Sequence, residues 1–108
     1  MTYRVRLVVD AEDDLVDIHR YVSVHDSPGQ ADQLLDNLLE CCASVSELPD
    51  RGHVPPELDR IGVTVFREVH FKPYRIIYQI DGRTVFVHAV LDGRRSLQDL
   101  LQRRLTRS

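Results

Sequence analysis

The chain of 108 residues is long enough for one domain and too short for two ordinary ones. Its hydrophobic fraction of 43% supports a real core, and its charged fraction of 29% lies near the globular norm. No stretch reaches the roughly 18–20 apolar residues that a membrane span needs, and the N-terminus lacks the pattern of a secretory signal. We therefore expect one soluble, cytoplasmic domain over residues 1–108, with no membrane partner.

The net charge of −3 conceals two halves of opposite sign. Residues 1–50 carry three basic and eleven acidic side chains, for a net −8, and residues 51–108 carry eleven basic and six acidic ones, for a net +5. The asymmetry has two interpretations that fit equally well. The halves form separate surfaces for separate partners, or acidic helices simply lie beside a basic sheet rim. The overall pI near 5.9 argues against direct nucleic-acid binding through a field of the whole molecule.

The first half of the chain predicts a strand followed by two helices. Apolar and arginine positions alternate from Tyr3 to Val9, which indicates a strand. Asp10 is a candidate N-cap for a helix over residues 11–24, whose acidic first turn suits the helix dipole. Ser27-Pro28 predicts the start of a second helix, which ends at Leu48 because a proline follows. Both helices have one apolar face, which predicts an antiparallel hairpin with an acidic outer side.

The second half predicts a loop, three strands and a final helix. Residues 50–62 are rich in proline and glycine and are typical of a connecting loop. The three strand-like runs are Val63–Phe71, Tyr74–Ile80 and Thr84–Leu91. Asp81-Gly82 is a hairpin turn signal, and Ser96 is a candidate cap for the last helix. The order βααβββα predicts an α+β fold, with the hairpin packed on a small, mostly antiparallel mixed sheet.

The final helix is short and ends in basic residues. Its apolar positions at helical spacing are Leu97, Leu100, Leu101 and Leu105. We interpret Arg103, Arg104 and Arg107 as a solvated helix end, where cations suit the dipole.

The two faces of the predicted sheet differ in their cover. In the second strand Tyr74, Ile76, Tyr78 and Ile80 share one face. The third strand is apolar on both faces, with Val85, Val87, Ala89 and Leu91 on one side and Phe86 and Val90 on the other. Such a strand is usually covered on both sides, and only one short helix is left for the second face. Either part of that face is available to a partner, or the final helix packs there and suffices.

The side chains that could carry chemistry are mainly basic. The five histidines are scattered, and none pairs with another ligand at helical or CxxC-like spacing, so no metal site is predicted. Adjacent Cys41 and Cys42 are interpreted as buried or half-buried thiols, because neighbours form a strained disulfide. The sequence has no Gly-rich phosphate loop and no nucleophile elbow, and we expect no cofactor.

Basic residues of the three-strand region are candidates for one shared rim, since neighbouring strands lie about 5 Å apart. They are Arg67, Arg75, Arg94 and Arg95, with Lys72 at a turn. Arg67 is in register with the apolar residues of its strand, so it needs a partner, an edge position or a β-bulge that turns it outward. His88 lies on a strand, where a packed or surface role is commoner than that of a base.

Several short motifs together resemble a known family. They are Pro49-Asp50-Arg51-Gly52, Pro56-Glu57-Leu58, Arg67-Glu68, Pro73-Tyr74-Arg75-Ile76-Ile77-Tyr78 and Gly93-Arg94-Arg95. With the first-helix pattern from Ala11 to Tyr21, they resemble the ParE branch of the RelE/ParE toxin superfamily over nearly the whole chain. The resemblance implies a toxin of a type II toxin–antitoxin module, linked to plasmid stabilisation and growth arrest. It also implies a cognate ParD-like antitoxin, a segment of which wraps the toxin and docks on its helices and exposed sheet.

The resemblance leaves two targets. ParE-like members poison DNA gyrase (topoisomerase II) and are not thought to hydrolyse anything, whereas RelE-like members cut messenger RNA on the ribosome. Ribonuclease chemistry needs a general base, an acid and cations for the phosphate. The chain offers cations in Arg67, Arg75 and Arg95, but His88 is its one candidate proton carrier there, and no Tyr or His follows Gly93. We therefore predict gyrase inhibition without catalysis. The alternatives are ribosome-dependent mRNA cleavage and a non-toxic member that only binds its antitoxin.

The predicted antitoxin- or target-binding residues follow from the same resemblance. They are Arg67, Tyr74, Arg75, Tyr78, Arg94, Arg95, Leu97 and Leu101. Because the family's C-terminal region has been implicated in toxicity, Arg94, Arg95 and the final helix are favoured for it. No catalytic residue is predicted for a gyrase inhibitor; for a ribonuclease the set is Arg67, Arg75, His88 and Arg95.

Overall fold

The computed structural model describes residues 2–106, with side-chain environments as far as Arg104. The elements are β1 (Arg4–Leu7), α1 (Val9–His25), α2 (Pro28–Ser44), α3 (Pro56–Asp59), β2 (Phe66–Phe71), β3 (Tyr74–Asp81), β4 (Thr84–Asp92) and α4 (Leu97–Thr106). A 3-10 turn spans Pro49–Arg51. The predicted α+β class is confirmed. The side chain of Leu105 and all of Arg107 lie outside the described residues.

The four strands form one mixed sheet in the order β1-β4-β3-β2. β1 runs parallel to β4, whereas the β4–β3 and β3–β2 pairs are antiparallel. The hairpin of α1 and α2 covers one face, which we call the hairpin face. α3 and α4 pack on the other, which we call the α4 face. β2 is therefore an edge strand.

The boundary between β1 and α1 differs from the prediction. β1 ends at Leu7, and the extended Val8 precedes α1 as its N-cap residue. The Val8 N–H donates to the Val87 carbonyl at 3.0 Å, and the Val8 carbonyl accepts from Glu12 at 3.1 Å. The expectation that Asp10 caps the helix is wrong, because α1 begins directly after the parallel pairing stops and Asp10 lies in its first turn.

The second helix starts as predicted and ends early. The Ser27 hydroxyl accepts from the Gln30 N–H at 3.1 Å, so the N-cap is confirmed. The helix ends at Ser44 rather than at Leu48, because the following turn directs Val45 into the core. Leu48 is consequently 65% exposed.

The loop predicted between α2 and the sheet contains two short helical segments. The turn at Pro49–Arg51 and the helix at Pro56–Asp59 each begin with a proline, whose missing N–H is tolerated at the first position. α3 buries Leu58 against the α4 face. β2 then starts at Phe66 and not at Val63.

A β-bulge divides the apolar row predicted for β4. The pairs Tyr78–Val87 and Ile77–Ala89 leave His88 as an extra residue. The row was expected to comprise Val85, Val87, Ala89 and Leu91. That expectation is wrong, because the bulge shifts the alternation by one residue. The first two residues contact the hairpin face cluster and the last two belong to the cluster on the α4 face.

Apolar side chains are buried on both faces of the sheet, which supplies the main driving force for folding. The hairpin face cluster contains Ala11, Leu15, Leu38, Cys42, Val45, Val69, Ile76, Tyr78, Val85, Val87 and Val90. The α4 face cluster contains Leu58, Ile77, Ala89, Leu91, Leu97 and Leu100. The final helix thus covers the most apolar part of the second face, whereas Gln79 and Phe86 beyond it are only half-buried.

The two cysteines are unpaired, as predicted, with Cys41 half-buried and Cys42 buried. Burial raises the pKa of Cys42 to about 12, so its thiol stays neutral. Among residues 2–106, no helix has both the length and the hydrophobicity for a membrane crossing.

A buried carboxylate joins α1, the bulge and α4. Asp14 accepts the Val90 N–H at 2.9 Å and a hydrogen bond from the Arg104 guanidinium. Arg104 also donates to the His88 carbonyl at 2.8 Å. Burial raises the pKa of Asp14, and these hydrogen bonds offset that only in part. The interpretation of Arg104 as part of a solvated helix end is therefore wrong, whereas Arg103 is exposed.

Candidate functional site

A cleft of about 390 Å³ opens on the α4 face beside β2. Arg75 of β3 lies in it between two carboxylates. Its terminal nitrogens donate to Glu57 at 2.7 and 2.8 Å, and its Nε and Nη2 atoms donate to Glu68 at 2.7 and 3.0 Å. We call this trio the Arg75 clamp. Planar guanidinium and carboxylate groups suit such paired hydrogen bonds, which fix orientation as well as distance.

Strand register positions the clamp. Glu68 and His70 alternate onto the same face of β2, and His70 lies directly opposite Arg75 of β3. Arg75 therefore reaches Glu68 diagonally across the strand pair, while α3 brings Glu57 to its outer side.

Two histidines contact the same buried carboxylate. The Nε2 atom of His70 is 2.7 Å from one Glu68 oxygen, and the Nε2 atom of His53 is 3.3 Å from the other. Glu68 is 1% exposed, whereas both imidazoles reach the cleft surface. Their rings meet edge to face, with centroids 5.4 Å apart.

Sequence reasoning missed the group of His53, Glu68 and His70. His53 comes from the loop before α3, and its backbone forms an isolated bridge with Glu68 that no periodicity predicts. The available signal was the spacing of Glu68 and His70, two residues apart on one predicted strand, which places both on the same face.

The clamp is ionised at neutral pH. Burial alone would raise the pKa of Glu68, but hydrogen bonds from Arg75 and His70 outweigh it and hold that pKa below its ordinary value. Hydrogen bonds from Arg75 likewise lower the pKa of Glu57. The two carboxylates in turn raise the pKa of Arg75. Two anions and one cation leave a net negative charge, and Arg60 and Lys72 line the same cleft.

A second cleft, of about 400 Å³, lies between α1 and the end of β4. It brings together three of the predicted binding residues, Tyr74, Arg94 and Arg95, with Tyr21 of α1. Arg94 is strongly exposed and donates to the Asp92 carboxylate at 3.0 and 3.1 Å.

Arg67 lies on the hairpin face of the edge strand β2, away from both clefts. Its guanidinium donates to the Gly52 carbonyl at 2.7 Å and to the Asp50 carbonyl at 3.4 Å. The β2–β3 pairing stays in regular register through Arg67. Of the three solutions that the sequence allowed, an edge position and a local partner are both observed, whereas no β-bulge occurs at Arg67.

Three predicted binding residues belong to the core or its margin. Tyr78 is fully buried; its hydroxyl donates to the Pro49 carbonyl at 2.6 Å and accepts from the Gly52 N–H at 3.1 Å. Leu97 is also fully buried, and Leu101 is half-buried against the same cluster. In this conformation Tyr78 and Leu97 offer no side-chain surface to a partner.

The residues named for a ribonuclease do not share one site. Arg67 and Arg75 lie on opposite faces of the sheet, and Arg95 lines the second cleft. His88 lies 3.2 Å from the Gln79 side-chain oxygen, and its pKa is lowered by burial and by Arg104.

A family model described as the ParE toxin of the type II toxin–antitoxin system parDE matches residues 5–97. The chain belongs to the ParE toxin family. The resemblance noted from the sequence motifs is thereby confirmed. Among curated proteins, no sequence matches the chain significantly.

Two solved structures share the ParE fold of this chain. A chromosomal ParDE system from P. aeruginosa superposes with a TM-score of 0.72 at 15% identity, over 84% of this chain and 96% of that one. The RelBE2 toxin–antitoxin complex from Mycobacterium tuberculosis gives a TM-score of 0.63 at 21% identity, over 85% and 92%. At these identities the likeness concerns the fold alone.

Proposed function

We propose that this ParE family member inhibits DNA gyrase and is neutralised by a cognate ParD-like antitoxin. The supporting observation concerns the partners and positions of its basic side chains. Arg75 is saturated by two carboxylates, and the other residues named for phosphate chemistry point to separate parts of the surface. Such an arrangement suits recognition of a protein better than stabilisation of one developing negative charge, which needs converging donors.

The surface that we assign to the target lies at the exit of β4. Arg94 and Arg95 are exposed there, next to the start of α4. Arginine is enriched at protein interfaces because its planar group pairs with carboxylates and stacks on aromatic rings. We keep both residues as the proposed determinants of toxicity.

The surface that we assign to the antitoxin lies on α1. Val16, Tyr21 and Val24 are 54%, 63% and 74% exposed, and Tyr21 lines the second cleft. Several large exposed apolar side chains on one helix are candidate contacts for a partner. An amphipathic antitoxin segment can bury them, and the two solved structures of similar fold are described as toxin–antitoxin systems.

A supercoiling assay tests the proposed target. The purified chain is expected to inhibit gyrase, and the double variant Arg94→Ala/Arg95→Ala to need at least a tenfold higher concentration. Arg20→Ala, which removes an exposed arginine of α1, is the matched control and should inhibit normally. Normal supercoiling at a large molar excess of the unaltered chain contradicts the proposal.

A second candidate function, ribosome-dependent mRNA cleavage, is favoured by one observation. His53 and His70 bring two imidazoles to a cleft that also holds Arg60 and Lys72. Imidazoles are suitable general acids and bases, and the cations suit a phosphate. His70→Ala is expected to abolish cleavage and His88→Ala to leave it intact. Intact transcripts during growth arrest argue against this function.

A further inference from the structure

We propose that His53, Glu68 and His70 form a binding site for a divalent transition-metal ion of the zinc class. The two imidazole nitrogens and the carboxylate oxygen that face one another all lie within 4.8 Å. Two histidines and one carboxylate form a common protein ligand set for Zn²⁺, which leaves a fourth position open. This inference does not depend on whether gyrase or messenger RNA is the target.

The backbone fixes the three ligands before any ion arrives. Glu68 and His70 are neighbours on one face of β2, and His53 lies opposite Glu68 on the adjoining extended segment. The Glu68 N–H donates to the His53 carbonyl at 2.7 Å, and the His53 N–H donates back at 3.2 Å. Ligands that are held by strand pairing lose little freedom on binding, which favours affinity.

The side chains require only small movements. Tetrahedral ligands at bond lengths of about 2.0–2.1 Å stand about 3.3 Å apart. The Nε2 atom of His53 lies 3.3 Å from one Glu68 oxygen, and the Nε2 atom of His70 lies 2.7 Å from the other. An ion held by a single Glu68 oxygen therefore requires one imidazole to turn toward that oxygen, from a starting separation of at most 4.8 Å. The His70 side chain is 44% exposed, so the ring has room to move.

Arg75 supports the site instead of blocking it. It donates to both Glu68 oxygens, yet a carboxylate has about four lone-pair positions, and those facing the histidines remain for the ion. Carboxylate ligands in metal sites are generally hydrogen-bonded by such outer groups. Glu57 offsets the charge of Arg75, whereas Arg60 and Lys72 in the same cleft weaken the attraction.

The ligand types determine which ions fit. Imidazole favours zinc, copper and nickel, whereas magnesium and calcium prefer oxygen ligands alone. All three ligand residues line the cleft, so a bound ion would be accessible there to water or an anionic oxygen. A bound ion also cross-links the loop that carries His53 to β2, so it should stabilise the fold.

Isothermal titration calorimetry of the full chain, stripped with a chelator and titrated with zinc chloride, tests the proposal. One equivalent of Zn²⁺ should bind and raise the melting temperature, whereas magnesium chloride should do neither. His53→Ala and His70→Ala should each weaken binding at least tenfold.

His25→Ala is the matched control, because it removes an exposed histidine from the end of α1 and should leave binding unchanged. His53 and His70 are exposed, so their variants should keep the fold, and circular dichroism checks this. Absence of Zn²⁺ binding to the unaltered chain overturns the proposal. So does equal affinity in folded His53→Ala and His70→Ala variants.

Discussion

Arg75 makes four hydrogen bonds to carboxylates in the first cleft. Its side chain is 12% exposed, and it is the shared partner of Glu57 and the buried Glu68. A buried charge without a partner is costly, so loss of one member of the clamp destabilises the fold by leaving the remaining charges buried and unpaired.

Arg75→Ala should lower the free energy of unfolding by about 3–5 kcal/mol, because it leaves Glu68 buried without its main cation. Urea denaturation measures the change. Arg20→Ala, at an exposed ion pair, serves as the control and should keep the wild-type midpoint. Equal midpoints for both variants would show that the clamp contributes nothing to stability.

The lowered pKa of Glu57 predicts that the protein loses stability in acid. Arg75 lowers the folded-state pKa of Glu57 below its ordinary value of 4.5, so the unfolded chain binds more protons in that range. The resulting stability is present above pH 4.5 and is lost as the pH falls through the folded-state pKa. Glu57→Gln should therefore lose less stability than the wild type on acidification. Urea midpoints at neutral and acid pH measure this, and the exposed Glu40→Gln should behave as wild type.

At the scale of elements, the loop before α3 is held by contact with the sheet more than by its own sequence. The buried Tyr78 hydroxyl bridges Pro49 and Gly52, and Arg67 binds the Gly52 carbonyl. Gly52 lies so close to β2 that an added Cβ would meet the Tyr78 hydroxyl and stand 2.5 Å from the Glu68 carbonyl. The loop that carries His53 therefore depends on a glycine.

Gly52→Ala should lower the free energy of unfolding by about 1–3 kcal/mol, the usual cost of an overpacked site. Gly29→Ala is the matched control, because nothing lies within 4 Å of its added Cβ in α2. It should leave the stability unchanged or raise it by up to about 1 kcal/mol, since alanine favours helix. Thermal or urea denaturation of both variants checks the opposite signs.

The contact of α4 with α1 depends on Arg104. Arg104→Ala leaves the Asp14 carboxylate buried with only the Val90 N–H, so we expect a loss of about 3 kcal/mol. Amide hydrogen exchange should also quicken throughout α4, because its C-terminal half loses its tie to α1. Arg103→Ala, on the exposed side of the same helix, should change the stability by less than about 0.5 kcal/mol.

At the scale of the whole molecule, the acidic and basic halves of the sequence occupy different layers of the fold. The acidic first half of the chain supplies β1 and the helical hairpin, and the basic second half supplies most of the sheet and α4. The exposed side chains of Val16, Tyr21 and Val24 lie on the acidic layer, and Arg94 and Arg95 lie at the edge of the basic one. The proposed antitoxin and target surfaces meet at the second cleft.

Val16→Asp/Val24→Asp should weaken antitoxin binding at least tenfold, which corresponds to about 1.4 kcal/mol. Both side chains are exposed, so the fold should persist. Val65→Asp replaces an equally exposed valine, 57% accessible, in the segment before β2 and should bind normally. Calorimetry with the cognate antitoxin measures the affinities, and equal values for all three chains contradict the assigned surface.

The elements that the sequence determined are those governed by local rules. Ser27 caps α2, the Asp81-Gly82 signal makes the β3–β4 hairpin, and Ser96 accepts the Asp99 N–H near the start of α4. The two-residue period of strands and the 3.6-residue period of helices indicate which apolar residues share a face. The order of the short motifs was enough to identify the family. These properties depend on near neighbours in the chain, so they can be read without the fold.

Tertiary structure alone decided the rest. The bulge at His88 follows from the register of β4 against β3, and it redirects Ala89 and exposes the Val90 N–H to Asp14. The meeting of His53 with Glu68 follows from a bridge between a loop and an edge strand. Contacts between distant segments depend on the summed packing of the whole sheet, which no local pattern encodes. For that reason the sequence predicted the basic residues of the second half, while the fold determined which of them are held by carboxylates.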